Sequence, residues 1–129
     1  MKCSLTKSLI YTASLAAFSI SAPAFAEHKD VIGSKFIEGC TLPQYLPIVA
    51  DFNKWGASHG YKAQIFFPLQ NDDVETFYWV GTSKNAAAFG AAWDAWRDAQ
   101  SDSSSTPAKL QARLDACSKN VSRNSYDAY

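Results

Sequence analysis

The groups in this 129-residue chain best suited to chemistry are two histidines, His28 and His59, two cysteines beyond residue 26, and a few carboxylates. His59 precedes Gly60 where a helix should end, a place in which an imidazolium is favoured by the helix dipole and meets free carbonyls; the competing role is proton transfer or ligand contact. Neither histidine has cysteines or carboxylates at ligand spacing, so no metal is expected. Asp72, Asp73 and Glu75 lack the spacing of a calcium loop and read as a solvated turn. Asp94 and Asp98 stand four residues apart with Arg97 between them, as on an exposed helix face. No G-x-S-x-G, Walker A or dinucleotide fingerprint occurs, so no catalytic residue is assigned and no cofactor is expected. Asn120-Val121-Ser122 matches a glycosylation acceptor, a coincidence in a chain with a bacterial-type leader.

Aromatic residues offer binding rather than reaction. Trp55, Trp79, Trp93 and Trp96 are candidates to line an apolar pocket, with Tyr78 and Asn53 as polar contacts. Trp93 and Trp96 fall on a helical core stripe and read as packing, which leaves Trp79 the better cavity residue. Trp79, Tyr78, Phe66, Asn53, Trp55 and His59 form the candidate ligand-binding set.

The chain opens with an export pattern: Lys2 and Lys7, an apolar run from Ser8 to Ile20, then Ala24-Phe25-Ala26, with cleavage expected after Ala26. That run is too short to span a membrane, and Cys3 lies before it, so neither an anchor nor acylation is expected. The sequence holds 12 Lys and Arg against 12 Asp and Glu; losing Lys2 and Lys7 leaves a net charge near −2, which argues against a nucleic-acid partner. The expected location is the periplasm or the exterior. There Cys40 and Cys117 are expected to form a disulfide, the alternatives being two buried thiols or a redox pair.

The elements that must position these residues are read from periodicity. Glu27–Ser34 is polar and without period and reads as a flexible arm, leaving a single α+β domain over residues 35–129. Phe36–Cys40 reads as a short strand. Thr41 caps a helix carrying Leu42, Tyr45, Val49, Phe52 and Gly56 on one side; Pro47 implies that its first turn is separate or that it begins near Leu46. Tyr61–Leu69 and Glu75–Thr82 alternate as an antiparallel hairpin. Ser83 reads as the cap of a second helix reaching about Gln100. Thr106-Pro107 starts a third, with Leu110, Leu114, Cys117 and Val121 on one side, and a last edge strand follows from Ser122.

That order is a ferredoxin-like βαββαβ unit with an extra helix before the last strand. Helices would cover one sheet face and leave the other bare, presenting either Phe66, Tyr78 and Val80 or Phe67, Phe77 and Trp79.

Asp51-Phe52-Asn53-Lys54-Trp55, Tyr61 to Pro68, Trp79-Val80-Gly81 and Ala88-Phe89-Gly90 to Trp96 resemble the dimeric α/β-barrel superfamily, which includes antibiotic-biosynthesis monooxygenase-like and NIPSNAP-like proteins. The nearest similarity is to short exported bacterial proteins without assigned activity. The resemblance implies a homodimer whose sheets pack face to face around a cavity, and it carries no catalytic residue onto this chain. Three functions follow: binding of a small apolar or aromatic ligand in that cavity, a cofactor-independent monooxygenase or haem-degrading activity, or an interaction module acting through the sheet face.

Overall fold

The computed structural model describes residues 26–129; the leader and Cys3 lie outside that range. Seven elements follow in the order β1 (Glu27–Phe36), α1 (Leu42–Ala57), β2 (Tyr61–Phe66), β3 (Phe77–Ser83), α2 (Ala86–Ala99), α3 (Thr106–Asp115) and β4 (Ser118–Ala128). The strands form one open antiparallel-paired sheet in the order β2-β3-β1-β4, the ferredoxin-like arrangement with α3 added before the last strand.

The main correction concerns Glu27–Ser34, which is no arm but most of β1, paired to β3 on one side and β4 on the other. Its alternation is hidden because three of its helix-facing residues, His28, Asp30 and Ser34, are polar and still buried. A central strand normally announces itself by apolar residues on the covered face; here hydrogen bonds to β2 and β4 satisfy Asp30 and Ser34 instead. Only Phe36 of the expected strand Phe36–Cys40 belongs to β1, since Gly39 turns the chain at φ +85°.

Helix α1 is continuous, contrary to the break expected at Pro47. Pro43 occupies the first turn, and a reciprocal Thr41–Gln44 capping box anchors the start, so Pro47 removes a single early hydrogen bond. Asn85, not Ser83, caps α2, accepting from the Ala88 N–H at 2.8 Å. Strand β4 begins at Ser118, four residues earlier than expected. Val121 therefore leaves the helical stripe and sits in a bulge opposite Gly33/Ser34. The hairpin strands are shorter than expected, ending at Phe66 and resuming at Phe77.

Tyr61, Ala63, Phe77 and Trp79 point beneath the helices and join Tyr45, Ile48, Val49, Phe52, Ala92, Trp96 and Leu110 in the core. Phe66, Tyr78 and Val80 occupy the opposite face, with Phe66 51% exposed. A Cys40–Cys117 disulfide, Cα atoms 5.2 Å apart, ties the loop before α1 to the start of β4.

Candidate functional site

Under the helices, the sheet carries a polar chain through an aromatic interior. Asp30, 1% exposed, receives two parallel hydrogen bonds from Arg123, Nε to Oδ1 and a terminal nitrogen to Oδ2, each 2.9 Å. The Tyr61 hydroxyl donates to Asp30 Oδ2 at 3.0 Å and accepts from the Trp79 indole N–H at 3.0 Å. These four residues come from β1, β4, β2 and β3, so the network exists only once the whole sheet has formed.

Glycines position its centre. A Cβ at Gly81 would collide with the Tyr61 ring and hydroxyl, and one at Gly56 with the Tyr61 carbonyl. Burial, then the Asp30 charge, pushes the Tyr61 hydroxyl well above the ordinary tyrosine value, so it remains a neutral donor. The bidentate arginine compensates a carboxylate that would otherwise be costly to bury.

Beside this network lies a cavity of roughly 120 Å³ between the sheet and the helices. Ile32, Phe89, Trp93 and Trp96 wall it, with Asp30 and Arg123 supplying its charge. The Arg123 guanidinium lies 4.1 Å from the centre of the Trp93 ring, a cation–π contact between two partly exposed side chains at the mouth. Deeper in, Phe52 meets Trp79 edge to face at 4.7 Å, and its ring lies tilted against Trp96 at 5.1 Å.

The candidate set read from sequence is divided by the fold. Trp79 and Trp55 line the cavity. Tyr78 and Phe66 are cross-strand neighbours on the open face. Asn53 clamps α1 to β2, donating to the Ala63 carbonyl at 2.9 Å and accepting from its N–H at 2.7 Å. His59 stacks on Trp55 at 3.9 Å, with Nδ1 2.9 Å from the Trp55 carbonyl, which holds it at the helix end. The cavity also lies on the helix side of the sheet, not on the face expected to meet a second sheet.

Asp30, Tyr61 and Arg123 were missed. Asp30 stood in a stretch read as an arm, Tyr61 read only as the first residue of an alternating strand, and Arg123 lay in a weakly patterned tail. Among the described residues no group of three or more His, Cys, Asp or Glu is arranged to hold a metal ion. No described helix is long and apolar enough to cross a membrane.

No protein-family profile matches the chain, and no curated protein sequence does. Its fold places it with ferredoxin-like α+β proteins. Among solved structures it resembles SnoaB, a cofactor-independent oxygenase from Streptomyces nogalater, with a TM-score of 0.54, 12% identity, and coverage of 81% of this chain and 94% of that one. It also resembles the hydroxynitrile lyase of Passiflora edulis, with a TM-score of 0.52, 17% identity, and coverage of 83% and 96%. At these identities the likeness is one of fold.

Proposed function

We propose that this protein is exported and binds a small single-ring aromatic molecule in the cavity between its sheet and helices. The observation that carries the reading is the cavity itself, roughly 120 Å³ of space walled by aromatic rings and floored by a carboxylate. An engineered apolar cavity of about 150 Å³ accommodates benzene, so one ring is the scale of ligand that fits. Among the described residues Asp30 Oδ1 accepts a hydrogen bond only from Arg123, which leaves it acceptor capacity for a ligand hydroxyl. A phenol is thus favoured over a plain hydrocarbon.

The protein acts as a homodimer in this reading, joined through the sheet face that the helices leave open. Exposed Phe66, with Tyr78, Val80 and Val31 beside it, supports that assembly. The disulfide supports export, because such bonds persist in oxidising compartments.

A second reading is enzymatic, favoured by one specific pairing: Asp30 is a carboxylate held beside a guanidinium, and SnoaB, of similar fold, is a cofactor-independent oxygenase. In that reading the bound phenol is itself the reductant, phenol and O2 giving a quinone and water, with Asp30 accepting the hydrogen bond of the phenol hydroxyl and Arg123 offsetting the charge as electrons leave the ring.

Titration of the intrinsic tryptophan fluorescence with phenol and with toluene tests the binding reading, alongside native mass spectrometry of the exported protein. Saturable quenching at one ligand per chain, tighter for phenol and lost in Trp93→Ala, is expected, together with a dimer mass. Absence of saturation by either ring at millimolar concentration overturns the cavity reading. A monomer removes the assembly and favours an interaction module. Oxygen consumption with bound phenol would decide for the enzyme.

A further inference from the structure

We propose a second site, separate from the aromatic cavity: a small-carboxylate site formed by Ser83 and His28 beneath the first turn of α2. Among the described residues, two side-chain polar atoms are buried without a hydrogen-bond partner, His28 Nε2 and Ser83 Oγ. They are not scattered. His28 and Ser83 are cross-strand partners in the β1–β3 ladder, on the helix-covered face, and are 8% and 3% exposed. Orphaned buried polar atoms are uncommon, and each carries a desolvation cost. Two such atoms on facing residues mark a place built for a third group.

The surroundings specify the charge of that group. Asp127, opposite His28 on β4, lies 3.4 Å from His28 Nδ1, which fixes the ring and leaves Nε2 as the nitrogen free for a ligand. Phe89, in the first turn of α2, lies 4.5 Å from the His28 ring, which sets the start of that helix over the row. Asn85 caps the Ala88 N–H and its carbonyl takes the Phe89 N–H. The earlier N–H groups, those of Ala86 and Ala87, have no carbonyl of the helix to meet, and at such an end the dipole favours an anion.

Ser83 also lines a surface groove with Lys62, Lys84 and Thr82. Its acid, Glu27, is already paired with Lys29 at 2.7 Å, so the balance of the groove is positive. A carboxylate entering there reaches the Ser83 hydroxyl first, with the His28 ring behind it as the cross-strand partner of Ser83. A planar oxyanion can accept from two donors on facing residues of adjacent strands.

The test uses the full oxidised protein with ¹⁵N-labelled histidine, titrated with acetate and benzoate against chloride at equal ionic strength. The expected result is a saturable shift of the His28 ring nitrogens, with His59 unmoved. Ser83→Ala, checked for folding by its thermal transition, should weaken binding roughly tenfold or more, the size of one hydrogen bond to a charged group. His28→Gln should abolish it, read by calorimetry. No saturable shift up to tens of millimolar, a shift equal to that in chloride, or an unchanged affinity in Ser83→Ala overturns the site and leaves an internal water as the partner of the two atoms. Because phenol is absent from every arm, these outcomes are independent of the aromatic cavity.

Discussion

Reducing the Cys40–Cys117 bond tests how this small domain is stabilised. The bond spans 77 residues of sequence and encloses α1, β2, β3, α2 and α3. In the chain-entropy model, closing a loop of that length removes about 15 cal/mol/K from the unfolded chain, or about 4.5 kcal/mol at 25 °C. A domain of this size typically has a total stability of about 5 to 15 kcal/mol, so the bond supplies a third or more of the total for most of that range. The native ends are also held together without it: the Ile37 N–H donates to the Cys117 carbonyl at 3.1 Å, and Cys117 is buried. The reduced protein should therefore fold to the same structure with less margin. Urea unfolding followed by tryptophan fluorescence, with and without a thiol reductant, reads this directly. With a slope of about 2 kcal/mol/M, the midpoint should fall by roughly 2 M. Cys40→Ala/Cys117→Ala should fall at least as far, since it also removes a buried sulfur. Midpoints within about 0.5 M of each other would refute the entropic account and place the stability in the sheet and helix packing alone.

Other perturbations act on the polar network. Arg123→Leu leaves Asp30 buried and unpaired and should cost about 3 kcal/mol, the lower end for a broken buried pair because the arginine side chain is partly exposed; chemical denaturation measures it. Tyr61→Phe removes a donor to Asp30 and the acceptor of the Trp79 N–H, for about 1 to 3 kcal/mol, with a shift in Trp79 emission. Because the folded protein raises the Tyr61 hydroxyl above its unfolded value near 10, that contribution is complete below pH 10 and is lost as pH rises beyond it; stability should fall by up to about 1.4 kcal/mol per pH unit there, and Tyr61→Phe should flatten the slope. At the other extreme, Thr76 and Lys35 hold Asp73 down to about 2, so its contribution is present above the ordinary carboxylate range and is lost as pH falls towards 2, an acid limb that Asp73→Asn should remove.

The two types of periodicity were legible to different degrees. Leu42, Tyr45, Val49 and Phe52 marked α1 because a helix that packs on a sheet needs an apolar stripe, and the stripe is there. The hairpin was legible as two alternating strands, but both of its faces are apolar, so the sequence left open whether Tyr61, Ala63, Phe77 and Trp79 or the opposite set lay beneath the helices. Strand β1 could not be read so, because its covered face is written in His28, Asp30 and Ser34, and a polar residue is inside only if a distant partner meets it. Arg123 lies 93 residues from Asp30, and Tyr61 lies 31 away. Nothing local in the sequence announces either partner. The ligand-binding residues expected from sequence were chosen for aromatic character, which cannot tell a cavity wall such as Trp79 from an open-face residue such as Tyr78; strand register alone separates them.

The same feature that hid β1 also bears on the proposed ligand site. A central strand covered by helices is most simply stabilised by apolar residues, and replacing a buried ion pair by well-packed apolar residues is often neutral or stabilising by about 1 to 4 kcal/mol. Asp30 and Arg123 therefore give up stability that Leu or Val could supply at those positions. The glycines at 56 and 81 add to the cost, since each forgoes a side chain to leave room for Tyr61. This small domain arranges convergent polar contacts from four strands in its core, and a long-range disulfide offsets part of their cost, so packing alone does not account for the core. On this argument Asp30→Leu/Arg123→Leu should be as stable as the parent or more so while losing the preference for phenol over toluene. A double variant that kept that preference would detach the ion pair from ligand recognition.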